Sequence, residues 1–226
     1  MTDLKALLAI AGKDFRSEAR SRAATVATVF FSSVTLVILA FALGRDAELM
    51  RGAMPGALWV ALAFSGVISA AQSWQGDLQE GALDQLLTLP FPRAALFLGK
   101  LLANWLSMTL LGALLLPVAV AFFGADVAAA AVPTLLVTIA LGTLGFAVIA
   151  TFYAALTANL QARESLLPVL MFPVVVPILL AAVRATEAAV GSGDIALARS
   201  WIELLAGFDL VYLVVTSAIF HVVVEE

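Results

Sequence analysis

Three acidic side chains in the stretch of residues 75–93 have a spacing that could bind a basic partner. Asp77, Glu80 and Asp84 stand at i, i+3 and i+7, so a helix over residues 77–87 would place them on one face. Apolar side chains lie roughly opposite: Leu78, Ala82, Leu83, Leu86 and Leu87. Pro90 and Pro92 then prevent the helix from continuing. The pattern is typical of a surface helix that docks on another protein, although a plain connector would also fit it.

The sequence lacks the common motifs for nucleotide binding, metal binding, hydrolase catalysis and covalent haem attachment. It contains no G-x-x-x-x-G-K-[ST], H-E-x-x-H, G-x-S-x-G or C-x-x-C-H, and no cysteine. A lone histidine such as His221 is more often a packing residue than a metal ligand. We therefore expect no enzymatic activity, no metal site and no bound cofactor. Any ATP-driven work then needs a partner that binds ATP and Mg²⁺.

The elements that position the 75–93 stretch must be membrane helices. The 226 residues are 63% hydrophobic and 12% charged, whereas soluble domains average about 25% charged residues. A soluble core could not hide this much apolar surface, so we expect one integral membrane domain over residues 1–226. Membrane lipid is then a partner and nucleic acid is not.

Six apolar runs are long enough to span a bilayer, which predicts an all-α, polytopic membrane protein. Ahead of them, residues 1–22 carry apolar residues at helical spacing and five Lys or Arg, and predict an amphipathic interfacial helix. Trp74 and Trp201 flank spans and are predicted interfacial anchors. The predicted spans are residues 25–43, 55–73, a segment within 94–123, 133–156, 166–183 and a last apolar run over 201–224.

Several polar residues and prolines interrupt these runs. Lys100, near the start of the third span, is predicted to snorkel to the surface. Because Glu203 and Asp209 are costly in a bilayer, we expect a short interfacial or re-entrant helix over residues 201–206, with Gly207 separating it from a span at 208–224. The fifth span is predicted to be kinked or broken at its three prolines, Pro168, Pro173 and Pro177. In the fourth span, the small residues Gly142 and Gly145 could pack closely within a protomer or between two protomers.

The distribution of Lys and Arg predicts the orientation. With six spans both termini lie on one side, which then carries eight of the 12 Lys and Arg residues, against four on the other side. The positive-inside rule therefore favours cytoplasmic N- and C-termini. In this topology residues 75–93 form the first cytoplasmic loop.

The order D-L-Q-E-G-A-L-D-Q-L-L-T-L-P-F-P at residues 77–92 resembles the first cytoplasmic loop of ABC-2-type exporter permeases, where E-x-G-[ST]-L-[ED]-x-L-L-x-x-P recurs. Ala82 stands where that pattern has Ser or Thr. The chain is more closely similar to the cytochrome c maturation protein B (CcmB) family. That likeness rests on the lead-in from Trp74 to Asp77, on M-P-G-A-L-W-V at residues 54–60, and on Gly99-Lys100 to Trp105.

The resemblance implies the membrane subunit of a haem exporter in the bacterial inner membrane. Two copies would sit on a dimeric cytoplasmic ABC ATPase and work with a haem-handling membrane protein and a periplasmic haem chaperone in c-type cytochrome assembly. Haem is then a possible cargo of the complex. Alternatives are an ABC-2 permease for a drug or lipid, and an ATP-independent carrier or assembly scaffold. The residues predicted to couple to the ATPase are Asp77, Leu78, Glu80, Gly81, Leu83, Asp84, Gln85, Leu86, Leu87, Pro90 and Pro92.

Overall fold

A computed structural model of the chain describes residues 3–20, 22–44, 46–79, 93–157 and 163–223. These ranges contain long α-helices and no strand, which confirms the all-α prediction. A short 3-10 turn, Ala129–Ala131, leads into α5, and a π-helical turn, Ala188–Ser192, follows α6. The helices are α1 Asp3–Arg20, α2 Arg22–Ala42, α3 Ala47–Gln79, α4 Arg93–Phe123, α5 Val132–Thr157, α6 Arg163–Glu187 and α7 Ile195–Val223.

Five of these helices, α3 to α7, are long and apolar enough to cross a membrane. In α2 the described apolar part is shorter, Thr28–Ala42. At about 1.5 Å per residue, the 21 residues of α2 nevertheless extend about 32 Å, close to the thickness of a bilayer core. The chain is therefore a multi-pass membrane protein, and α2 takes the place of the first predicted span.

Helix α5 lies at the centre of the bundle and packs against α3, α4, α6 and α7. Gly142 of α5 faces the ring of Trp59 in α3 so closely that a Cβ atom would collide with it. The indole Nε1 of Trp59 in turn donates a hydrogen bond to Thr186 Oγ1 of α6, at 3.0 Å. A Cβ atom added at Gly145, one turn later, would likewise collide with the Asp209 carboxylate of α7. Both glycines thus serve close packing within one chain.

A chain of polar side chains links three of the spans inside the apolar bundle. Ser69 of α3 donates to Asn104 Oδ1 of α4 at 3.1 Å, and Asn104 Nδ2 donates to Thr151 Oγ1 of α5 at 3.0 Å. Hydrogen bonds of this kind stabilise contacts between membrane helices where the hydrophobic effect does not. They fix the register of α3, α4 and α5.

The prediction of a separate helix before Gly207 is wrong, because α7 runs unbroken from Ile195 to Val223. Glu203 is exposed two turns into this helix and accepts a hydrogen bond from Arg199 Nε at 3.0 Å. Asp209 is buried against α5 rather than facing lipid. Neither acid therefore forces a break. Helix α6 likewise continues through all three of its prolines, so it is not broken.

Candidate functional site: a buried charge cluster

Four charged side chains from three helices meet beside the predicted coupling segment. Lys13 and Asp14 come from α1, Asp77 from the last turn of α3, and Lys100 from the second turn of α4. Lys100 Nζ lies 3.0 Å from Asp14 Oδ2 and 2.6 Å from Asp77 Oδ2, while Lys13 Nζ contacts Asp77 Oδ1 and lies 3.1 Å from Asp14 Oδ1. Each cation therefore pairs with both carboxylates. We call this set the charge cluster, and its two cations balance its two anions.

Lys100 is the most buried member of the charge cluster. Its side chain has no exposed surface, against 7% for Asp77 and 10% for Asp14. Besides the carboxylates, its ammonium group donates to the backbone oxygen of Ser73 at 3.1 Å and lies 4.9 Å from the centre of the Trp74 ring. The prediction that Lys100 snorkels to the surface is therefore wrong. Acceptors within the chain take the place of water around its three N–H donors.

Asp77 Oδ2 has no hydrogen-bond partner of good geometry in the described part of the chain, although it is buried. Its short distance to Lys100 Nζ still makes it an ion pair. The ion pair compensates the charge of Asp77, because Coulomb attraction depends on distance and much less on angle. A buried carboxylate without such a partner would be costly.

The local sequence explains how α1 reaches this position. Gly99 of α4 lies so close to α1 that an added Cβ would stand 2.8 Å from Ile10 Cβ and 3.0 Å from the Leu7 backbone oxygen. Ala6, Ile10 and Ala11 are buried on this side of α1. The predicted amphipathic helix is therefore present, but its buried face lies against protein. This contact carries Lys13 and Asp14 one turn further along α1, into the charge cluster.

Lys13 is the half-exposed edge of the charge cluster, with 42% of its side chain accessible. Burial alone lowers the pKa of its ammonium group. The hydrogen bond to Asp77 and the charges of Asp14 and Asp77 outweigh that effect and raise the pKa above its usual value. Lys13 therefore stays protonated at physiological pH and holds both carboxylates.

The structure reaches only the first part of the predicted coupling helix. Asp77 and Leu78 belong to α3, which continues to Gln79 without the expected interruption after the second span. The Asp77 carboxylate contacts lysines of its own chain, whereas the sequence predicted that it meets basic residues of a partner. The other predicted coupling residues lie outside the described residues: Glu80, Gly81, Leu83, Asp84, Gln85, Leu86, Leu87, Pro90 and Pro92.

The two predicted tryptophan anchors differ in their surroundings. Trp74 is 3% exposed and packs against the ring of Phe220 at 6.2 Å, so it is buried in the bundle rather than placed at a lipid interface. Its indole Nε1 has no hydrogen-bond partner in the described ranges. Trp201 is half-buried near the start of α7, at the other end of the bundle.

Sequence reasoning missed three members of the charge cluster: Lys13, Asp14 and Lys100. The available signal was Lys100, a lysine inside an otherwise apolar helix, since an ion within a span requires a counter-ion. Its partners lie 86 and 23 positions away in the sequence, so spacing alone could not identify them. The arrangement holds three helices together. Among the described residues, no group of three or more His, Cys, Asp or Glu could hold a metal ion.

Comparison with known proteins gives one consistent result. A family model described as CcmB protein matches residues 5–225. Heme exporter protein B of Pseudomonas aeruginosa is 31% identical over 160 residues, which cover 71% of this chain and 70% of the relative. The proteins of the same name from Rhodobacter capsulatus and Paracoccus denitrificans are each 30% identical, covering 76% and 84% of this chain and 78% and 85% of the respective relative.

Proposed function

We propose that this chain, which belongs to the CcmB protein family, is the membrane subunit of a haem exporter complex that is driven by a partner ATPase. The observation that carries the proposal is the match over residues 5–225, together with relatives named Heme exporter protein B. The chain contributes the membrane path and no catalysis. ATP and Mg²⁺ bind to the partner, and haem is either the transported cargo or the group that the complex transfers to another protein.

The charge cluster supports a role for residues 75–93 in coupling. These residues join the end of α3 to the start of α4, and the charge cluster holds both ends and α1 together. Inside a protein, buried ion pairs resist separation because each broken pair leaves an unpaired charge. A force that the ATPase exerts on the segment is therefore passed to three helices at once. A loosely held loop would absorb the same force.

In this proposal residues 77–87 provide the ATPase contact. Leu83, Leu86 and Leu87 are its apolar anchors, and Glu80 and Asp84 meet basic residues around the ATPase groove. Pro90 and Pro92 stiffen the exit toward α4. Asp77 acts from inside the membrane subunit, where it ties the contact helix to the charge cluster.

The proposed setting is the bacterial inner membrane with both termini in the cytoplasm, as the excess of Lys and Arg on that side favours. A second copy of the chain completes the transporter core on a dimeric ATPase. A haem-handling membrane protein and a periplasmic haem chaperone act with it in c-type cytochrome assembly. These partners come from the family resemblance.

A pull-down from native membranes tests the proposal. The tagged chain is purified in mild detergent and its partners are identified by mass spectrometry. We expect an ABC ATPase to co-purify with the wild-type chain and to be lost from the Leu83→Asp/Leu86→Asp double variant. Thr88→Asp is the control, because it adds an acid to the same segment outside the proposed anchors.

Three outcomes of the pull-down decide between the candidate functions. Recovery of the ATPase at the wild-type yield with the double variant would contradict the coupling proposal, provided that both variants elute like wild type in size exclusion. Co-purified proteins of cytochrome assembly favour the haem exporter over a permease for a drug or lipid. If the wild-type chain associates with no ATPase, an ATP-independent carrier or scaffold becomes the better interpretation.

A further inference from the structure

A cleft of about 920 Å³ lies at the end of the bundle opposite the charge cluster. It is bounded by the first turns of α3, the turn after α4, the end of α6 with its π-helical turn, and the start of α7. Since α3 carries Asp77 at its other end, this cleft and the charge cluster are separated by the length of a transmembrane helix. We call it the far-end cleft.

The described lining of the far-end cleft carries charged residues of both signs in equal number. Arg51 and Asp126 stand on one side, with Nη2 and Oδ2 3.7 Å apart, and Arg51 Nε donates to the Gly124 backbone oxygen at 2.9 Å. Arg184 and Glu187 stand on the other, with Nη1 and Oε2 2.9 Å apart. All four side chains are about half exposed or more. Exposed ion pairs of this kind contribute little, so a ligand with matching charges can replace them at small cost.

The rest of the far-end cleft is apolar and lies where membrane helices end. Its lining includes Pro55, Leu180, Val190 and Trp201. Leu180 and Trp201 belong to helical segments long and apolar enough to span the membrane. Arg51, Arg184 and Glu187 stand toward the ends of such segments, and Asp126 lies between two of them. The cleft therefore combines an apolar wall at the depth of acyl chains with a charged rim at the depth of headgroups.

We propose that the far-end cleft binds a phospholipid with a zwitterionic, ammonium-bearing headgroup, such as phosphatidylethanolamine. The two guanidinium groups provide N–H donors for the phosphate. The two carboxylates accept hydrogen bonds from the primary ammonium, and the apolar wall packs against the upper part of an acyl chain. This site is independent of the proposed coupling segment and of the proposed cargo.

Charge and ligand chemistry disfavour two other occupants. A dianion such as haem, with two propionates, would place its carboxylates near Asp126 and Glu187, and the described lining contains no His, Met or Cys to bind its iron. An anionic phospholipid would satisfy the arginines but leave both acids without a cation. Phosphatidylcholine carries a positive charge without N–H donors, so it cannot hydrogen-bond to the carboxylates.

Native mass spectrometry of the full chain, titrated with lipids of identical acyl chains, tests the proposal. We expect phosphatidylethanolamine to bind about tenfold more tightly than phosphatidylglycerol or phosphatidylcholine, the size expected from one charge-assisted hydrogen bond. Soluble glycerophosphoethanolamine, which has the same headgroup, is the competitor that distinguishes binding of a whole lipid from binding of the headgroup alone. We expect it not to displace the lipid at equal concentration, because it lacks the acyl chains.

Two variants of the far-end cleft and one matched control complete the design. Arg184→Gln/Glu187→Gln removes one pair of charges and should abolish the preference for phosphatidylethanolamine. Gly191→Leu keeps all four charges but places a side chain in the cleft, and nothing lies within 4 Å of a Cβ atom added there. It should weaken lipid binding without removing a hydrogen bond. Arg199→Gln/Glu203→Gln removes an exposed ion pair of α7, 3.0 Å apart, outside the far-end cleft and should change neither quantity.

Each of three results would overturn the proposal. The first is equal or tighter binding of phosphatidylglycerol by the wild-type chain. The second is an unchanged preference for phosphatidylethanolamine in Arg184→Gln/Glu187→Gln, or unchanged lipid binding in Gly191→Leu, with circular dichroism showing that the variants fold. The third is full displacement of the lipid by glycerophosphoethanolamine, which would assign the site to a soluble ligand.

Discussion

Lys100 Nζ lies 2.6 Å from Asp77 Oδ2, and this ion pair joins the start of α4 to the end of α3. Between the two residues the chain passes through all of residues 80–92, where the resemblance to exporter permeases is most specific. Both side chains are almost fully buried, so neither can exchange its partner for water. The pair therefore fixes the distance between the two ends of the proposed coupling segment.

Lys100→Met should destabilise the protein by about 3–5 kcal/mol, the usual cost of removing one partner from a buried ion pair. Asp77 and Asp14 would each lose their contact with a fully buried cation, and only the half-exposed Lys13 would remain to them. Thermal unfolding in detergent or nanodiscs measures the change. Arg199→Gln is the control, because its ion pair with Glu203 is 66–79% exposed and should be worth at most about 1 kcal/mol.

A second substitution should partly restore the stability lost with Lys100→Met. In the double variant Asp77→Leu/Lys100→Met, both members of the most buried pair become apolar, and apolar replacements of a complete buried pair are often tolerated. We expect a melting temperature above that of either single variant. If the losses simply add, the two residues do not act as a pair.

The charge cluster also shows where sequence reasoning stops. Hydrophobic runs about the length of a bilayer core predicted the membrane helices, and the acid-to-proline pattern of residues 77–92 led to the family. The pairing of Lys13 with Asp77 was not predictable, because it depends on α1 lying against α4 at Gly99. The expected break at Gly207 failed for a related reason. A carboxylate such as Asp209 is disfavoured against lipid, but the sequence did not show that α7 turns it toward α5.

Gly142→Ala should destabilise the bundle by about 1–3 kcal/mol, the cost of overpacking a closely packed core. The added methyl group would collide with the Trp59 ring, whose position is fixed by its hydrogen bond to Thr186. Gly56→Ala is the matched control in α3, since nothing lies within 4 Å of its added Cβ. Helix propensity alone makes that control neutral or stabilising by up to about 1 kcal/mol. Equal melting temperatures for the two variants would contradict the packing assignment.

Asp209→Asn should leave stability unchanged or raise it. Both carboxylate oxygens of Asp209 are buried, and neither has a hydrogen-bond partner in the described part of the chain. An amide of the same shape removes the cost of burying a negative charge and breaks no described contact. Asp14→Asn provides the contrast, because Asp14 pairs with both lysines of the charge cluster and should lose stability. A melting temperature for Asp209→Asn as low as that of Asp14→Asn would contradict this prediction, because it would mean that the Asp209 carboxylate has a stabilising partner.

Lys13→Gln should reduce coupling more than it reduces folding. Lys13 is the half-exposed member of the charge cluster, so its loss leaves the buried pair of Lys100 and Asp77 intact. The link from α1 to the end of α3 is weakened, while the proposed ATPase contact at Leu83 and Leu86 is unchanged. We therefore expect normal co-purification of the ATPase with reduced output of the complex, measured as holo-cytochrome c per unit of membrane subunit.

Lys13→Arg is the conservative control for this last variant, because it keeps a cation at the edge of the charge cluster. It should retain most of the output, although the guanidinium cannot reproduce every contact of the smaller ammonium group. A Lys13→Gln variant with wild-type output would mean that α1 takes no part in coupling. Loss of the ATPase from Lys13→Gln would instead place Lys13 in the contact itself. The ratio of output to co-purified ATPase thus separates transmission through the charge cluster from docking.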